Sequence, residues 1–209
     1  MPASTPIASS KSAALSRLLD SIPKCYSRYT SGTIKADKVP GLAQKFHERF
    51  GIGCTPAQRI TRKKHGQASC LLIVFCPPDA AQAQWLMLAT DGTGLEMETM
   101  RRVTDKPRLQ WLGYELVRHP HKDTTRWTVR RSSAEMAEHY ALLAELQSKH
   151  HTGAVGELLQ RLANQPGFNG VRTQTWELFQ VARQWGYEGE LPHLFFQQKI
   201  THGERLLLG

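Results

Sequence analysis

The sequence predicts an α+β fold: about four mainly antiparallel strands in one sheet, with N-terminal helices and a C-terminal helical bundle packed on it. Three observations predict it. The composition is globular, at 40% hydrophobic and 22% charged residues over 209 positions, which excludes collagen, coiled coil and wholesale disorder. Residues 68–131 carry short apolar, β-branched or alternating runs, and residues 132–185 carry apolar residues at helical spacing.

The elements follow in order. MPASTPIASS (1–10) is a low-complexity segment and is expected to be a mobile tail. Ala14, Leu15, Leu18 and Leu19 recur at helical spacing, so a short helix runs to about Asp20 and stops before Pro23. KCYSRYTSGTIKADK (24–38) is polar and basic and reads as loop or irregular extended structure. Residues 40–50 fit a second helix, with Pro40 near its start, Gly51 past its end, and Leu42, Ala43, Phe46 and Phe50 on one face.

Ala68–Cys76, bounded by Gly66 and Pro77-Pro78, reads as a buried central strand. Gln84–Thr90 reads as a second strand ending at the turn dipeptide Asp91-Gly92. A short helix is expected at 95–103. Arg108–Arg118 and Thr124–Arg131 are expected as two further strands around the polar connection 119–123. In the last of these Trp127 and Val129 alternate with Arg126, Thr128 and Arg130, giving one apolar and one cationic face.

The last third reads as helices. Ser132 and Glu135 have capping-box spacing, followed by Met136, Tyr140, Leu143 and Ala144. Val155, Leu158, Leu159 and Leu162 mark the next helix. Val171, Thr175, Leu178, Ala182 and Trp185 mark a third, closed by Gly186. Leu206–Leu208 is an apolar end expected to dock. The composition breaks near 131/132 with almost no linker, so residues 11–209 are expected as one domain: a basic part 11–67, a β-rich part 68–131 and a helical part 132–209.

Charge is distributed unevenly. The chain carries 27 Lys+Arg against 18 Asp+Glu, a formal +9. Residues 1–70 alone hold twelve Lys/Arg and three acids, whereas residues 132–209 hold six and eight. A basic segment on a near-neutral body reads as a surface for a polyanion. The four cysteines have neither CxxC nor zinc-finger spacing. No window approaches 18 consecutive apolar residues, so no membrane span is expected. Residues 1–19 are Ser/Ala-rich without an apolar signal core; disorder followed by a short helix is a simpler reading than a transit peptide, and the expected location is cytoplasmic.

The strongest constellation is Arg59, Arg62, Lys63, Lys64 and His65. It either ends a short helix capped at Thr55-Pro56 or forms a hairpin tip at His65-Gly66. Lys24, Tyr26, Arg28, Tyr29, Lys35 and Lys38 join it as candidate contacts. Cations neutralise phosphates, and aromatics can stack on unpaired bases. Arg118, Arg126 and Arg130, with Arg108 and Arg131, form a second candidate as a basic sheet face near Trp111 and Trp127, with Trp127 assigned to the core by strand parity.

Helices at 154–164 and 171–185 could form a helix–turn–helix offering Arg172, Gln174, Gln180, Arg183 and Gln184. The long connection and the acidic balance favour a structural hairpin. His119-Pro120-His121 with Tyr140 has the residue types of a metal-dependent nicking site, but a pair in a turn is poorly preorganised. Asp79, Asp91, Glu96, Glu98 and Glu115 could supply carboxylates to a magnesium site, but no D-x-D or ExK arrangement on one strand stands out, and no Walker A, GxGxxG, HExxH or GxSxG pattern occurs.

The expected function is therefore nucleic-acid binding, to DNA or RNA, as an accessory or regulatory protein that could belong to a larger protein or nucleoprotein complex. No catalytic residue, metal or cofactor is expected. Two alternatives are a protein-interaction or inhibitor module using the apolar C-terminal surface, and a metal-dependent nuclease or nicking enzyme.

Overall fold

A computed structural model describes residues 3–121, 124–196 and 205–208. The chain divides into two compact units, Met1–Pro107 with Ile200–Gly209, and Arg108–Lys199. The break falls at 107/108 rather than near 131/132, and each unit has its own sheet. The α+β class holds. The single sheet of about four strands does not, because the strands expected in it are shared between a six-stranded mixed sheet and a three-stranded antiparallel one.

In the first unit the strands are β1 (Ala3–Ala8), β2 (Arg28–Lys35), β3 (Cys70–Phe75), β4 (Gln82–Ala89), β5 (Arg101–Arg102) and, from the far end of the chain, β9 (Arg205–Leu208). They lie in the order β5-β2-β4-β3-β1-β9. Strand β1 corrects the expectation of a mobile tail. Its second half runs parallel to β3, with Ile7 opposite Val74. Its first half pairs antiparallel with β9, with Ala3 opposite Leu208. Thr5 is buried and its hydroxyl donates to Leu72 O at 3.2 Å, tying the polar sequence into the sheet.

Strand β2 corrects the loop expected at 24–38. It pairs with β4 along its whole length. Its hydrophobic signal is weak because Gly32 sits opposite Trp85, whose ring occupies the space a side chain would need: a Cβ on Gly32 would lie 2.8 Å from it. No helix forms at 95–103; the segment is turn and bend, and Arg101–Arg102 adds a short strand to β2.

Helix α1 (Lys11–Ser21) is capped by Ser10, whose hydroxyl accepts from Ala13 N, and buries Ala14, Leu15 and Leu18. Helix α2 (Val39–Phe50) has Pro40 in its first turn and ends at Gly51, in the left-handed region at φ 64°. It buries Val39, Ala43, Phe46 and Phe50 against Leu72, Val74 and Met87 of the sheet. Phe46 meets Trp85 edge-on with centroids 5.3 Å apart. Burial of each large apolar side chain contributes ~1.5–3 kcal/mol.

The second unit begins with β6 (Gln110–Trp111) and β7 (Tyr114–His121), joined at Leu112-Gly113, where both residues have positive φ. That tight turn folds the one strand expected at 108–118 into a hairpin. Strand β8 (Thr124–Arg131) pairs with β7, with Leu116 opposite Val129 and Arg118 opposite Trp127. His119 and Pro120 therefore belong to a strand and not to the connection; Lys122-Asp123 lies outside the described residues.

Helices α4 (Ser133–Ser148), α5 (Thr152–Ala163) and α6 (Asn169–Gln184) follow. Leu143, Val155, Leu159, Leu178 and Phe179 form their shared core. Ser132 caps α4, accepting from Glu135 N at 3.1 Å, and Gly186 adopts φ 92° after α6. Two expected core positions, Ala144 and Trp185, are exposed. Among the described residues no helix is long and apolar enough to cross a membrane.

Candidate nucleic-acid interface

The basic run around 59–65 is a helix, α3 (Pro56–Lys64). Thr55 and Gln58 form a reciprocal capping box: Gln58 N donates to Thr55 Oγ1 at 3.3 Å, and Thr55 N donates to Gln58 Oε1 at 2.8 Å. Pro56 fits the first turn because its missing N–H would have had no partner there. Arg62, Lys63 and Lys64 lie in the last turn, where the helix dipole favours cations. The helix ends through His65, and Gly66 follows at φ 70°.

Nothing on α3 is buried. Arg59, Lys63, Lys64 and His65 are exposed, and Arg62 is half-buried with its guanidinium against Gly51. Among the described residues no carboxylate forms an ion pair with any of them. The first unit holds 16 Lys/Arg against 9 Asp/Glu, and the second 11 against 9, so most of the excess belongs to the unit that carries α3.

The cations of 24–38 do not form one patch with one another. Lys24 is exposed before β2, and Lys35 and Lys38 lie at its other end. Arg28 and Lys35 are separated by most of an eight-residue strand, roughly 23 Å at the usual rise. Arg28 is already occupied: its Nε donates to Asp91 Oδ1 at 2.7 Å, and Arg102 Nη2 reaches the same oxygen at 3.4 Å. The Arg28 hydrogen bond, helped by the charges of Arg102 and Arg28, holds the Asp91 carboxyl below the usual carboxylate range. Tyr29 is buried, so its ring is closed to stacking.

Tyr26 is half-buried and beside Arg59 and Arg17. Burial raises its pKa, while Arg59 and Arg17 pull it back down, so the hydroxyl stays protonated at neutral pH.

Arg59 also lines a cavity of about 220 Å³ together with Arg17 of α1, Arg205 and Ser4 from the paired strands β9 and β1, and the 53–55 loop. Arg205 is aimed by Ser4, whose Oγ accepts from Nε at 2.9 Å and from Nη2 at 2.7 Å. Arg17 Nη1 is shielded from solvent and has no hydrogen-bond partner among the described residues. Burial and, next, the charge of Arg205 push the Arg17 pKa down to about 10. Sequence reasoning missed Arg17 and Arg205 as site residues, because no local pattern links a first-helix arginine to one near the chain end.

The basic sheet face of the second unit does not exist as expected. Strand parity puts Arg118 with Trp127 on one side, where the guanidinium lies 4.9 Å from the ring centroid, and Arg126 and Arg130 on the other. Trp127 is half-buried under that guanidinium. Arg130 and Arg108 share Glu115, at 2.9 and 3.5 Å. Arg131 is completely buried and Trp111 is buried. Arg118 and Arg126 alone of this group are exposed without a carboxylate partner among the described residues.

The residues weighed for helix–turn–helix readout are partly committed elsewhere. Gln174 bonds Arg131 N and O, and Arg172 lies 3.5 Å from the Phe196 ring centroid. His119 Nε2 lies 3.3 Å from Thr173 Oγ1. Among the described residues no three His, Cys, Asp or Glu side chains are grouped to hold a metal ion.

The arrangement thus offers an exposed cationic helix and, beside it, an arginine-lined cavity. No protein-family model, curated protein or solved structure matches this chain.

Proposed function

We propose that the protein is a nucleic-acid-binding accessory protein that contacts phosphates through α3 and the arginines beside it, by binding rather than catalysis. One observation carries this reading: Arg59, Lys63 and Lys64 project from a helix that buries none of its residues and is matched by no carboxylate among the described residues. Like charges at such spacing repel one another, and a phosphate backbone relieves that repulsion while releasing its own counterions. Arg126 and Arg118 remain candidate peripheral contacts, as do Lys24, Lys35 and Lys38. A cytoplasmic setting belongs to the same proposal; Cys70, buried with its thiol pushed up to about 12, is suited to remain reduced there.

Fluorescence anisotropy with labelled single- and double-stranded DNA and RNA, at low and moderate salt, tests it. Binding that weakens steeply with salt supports the reading. No binding to any of the four at low salt rejects it.

A second reading, a protein-interaction module, is favoured by the second unit's surface. Trp176, Phe195 and Phe196 are exposed, and Trp176 lines a cleft of about 900 Å³ with Leu191 and Leu194. Docking there would bury apolar area and would change little with ionic strength. That insensitivity separates it from phosphate binding.

A further inference from the structure

We propose that the cavity between Arg17, Arg59 and Arg205 is a binding site for a phosphomonoester dianion, the group that ends a 5′-phosphorylated nucleic-acid strand. The assignment to a strand end rests on the nucleic-acid reading above; the phosphomonoester chemistry rests on the cavity alone.

Three guanidinium groups from α1, α3 and β9 converge on a space of about 220 Å³, and no carboxylate lines it among the described residues. The positive charge comes from these side chains and not from the α3 terminus, whose capping box already satisfies the backbone N–H groups of Thr55 and Gln58. Arginine suits the ligand because its planar fork gives paired hydrogen bonds to phosphate oxygens.

Two further observations fit an anion as the ligand. Arg17 Nη1 is shielded from water with no partner among the described residues, an arrangement that is unfavourable unless an acceptor arrives. Arg205 is braced, with two of its donors turned onto Ser4 Oγ, so its position is set before a ligand binds. An internal phosphodiester carries one negative charge and continues in two directions, which suits an open cationic surface such as α3. A small cavity with three cations suits a terminal group with two charges.

The test uses the full chain and three probes: inorganic phosphate, and one short strand carrying either a 5′-phosphate or a 5′-hydroxyl. The strand end predicts roughly tenfold tighter binding of the phosphorylated strand, the order expected for one added set of charge-assisted hydrogen bonds. Arg205→Gln, on an exposed residue, removes that preference, and Arg17→Gln removes it too if the variant folds.

If inorganic phosphate binds and Arg205→Gln abolishes it, but the two strands bind alike, the site stands and its ligand is a free phosphomonoester. If neither phosphate nor strand phosphorylation matters while strands still bind, the cavity assignment falls and the α3 reading survives. If no strand binds but phosphate does, the reverse holds. If nothing binds, both are wrong.

Discussion

Arg17 and Arg205 place two guanidinium groups in one cavity, and the charge of Arg205 adds to burial in lowering the Arg17 pKa to about 10. Two like charges held together with an unpartnered donor oppose folding. Below about pH 10 Arg17 is charged in the folded and the unfolded chain alike, so the opposition is constant there. As pH rises above about 10 the folded protein loses the proton before the unfolded chain does, and stability increases. The neutral Arg17→Met variant is therefore expected to melt at or above the wild-type temperature at pH 7 and to lose any stabilisation by phosphate. Thermal unfolding with and without phosphate measures both; a large loss of stability in Arg17→Met would show that the arginine is a structural support.

Gly53 brings the loop before α3 against β1. Its φ is +77°, and a Cβ there would lie 2.8 Å from both the N and the O of Ser4. Gly53→Ala is expected to cost roughly 1–3 kcal/mol and to disturb the serine that aims Arg205. Gly66→Ala is the comparison, because its φ is +70° but nothing lies within 4 Å. It should cost about 1 kcal/mol, from the backbone alone. Urea unfolding of the two variants measures the difference.

Arg131 is buried by the elements it joins. Its guanidinium donates to Gln165 Oε1 at 2.6 Å, Thr175 Oγ1 at 2.9 Å, Val171 O at 3.3 Å and Leu162 O at 3.4 Å. Its own N and O pair with the Gln174 amide, which acts as a one-residue strand along the edge of β8. Arg131→Ala removes all four guanidinium bonds and opens a cavity, although Val171 O still accepts from Thr175 Oγ1 and Leu162 O from Gln165 N; it is expected to destabilise by about 3–5 kcal/mol. Chemical denaturation checks this, with Arg126→Ala, an exposed position on the same strand, expected to change little.

His139 makes the second unit sensitive to mild acid. Burial and then the charge of Arg131 lower its pKa below 6.5, with Glu135 opposing; Nε2 lies 3.6 Å from Glu135 Oε1, beyond hydrogen-bond distance. The unfolded chain therefore takes up the proton first, so stability falls as pH drops below about 6.5 and is complete above it. His139→Gln should flatten the stability profile between pH 7 and 5. An unchanged profile would assign the acid sensitivity to other groups.

What the sequence conveyed followed the range of the interactions involved. Helix α2 was legible from Pro40, Gly51 and the Phe46/Phe50 face because each of these signals is local. The docking of Leu206–Leu208 was legible from its apolar run, but β1 and the strand pairing of β9 were not, because the two strands pair with each other, Ser4 opposite Leu207, across nearly the whole chain. Strand β2 lacked a hydrophobic signal because Trp85 supplies the bulk over Gly32. The 59–65 cluster was readable as a surface charge, and the cap at Thr55 decided between helix and hairpin. The expected arginine face failed on parity, since Arg118 opposes Trp127 and not Arg126.

The most direct measurement of the central claim is the salt dependence of strand affinity for the wild type and for Lys63→Gln/Lys64→Gln. These two side chains are exposed on a helix with no buried residue, so their loss leaves the core untouched. If both contact phosphates, the slope of log affinity against log salt falls by roughly 1.4–1.8, near 0.7 per phosphate for a single strand and 0.9 for a duplex. An unchanged affinity and slope in the double variant would contradict the account and remove α3 as the nucleic-acid interface.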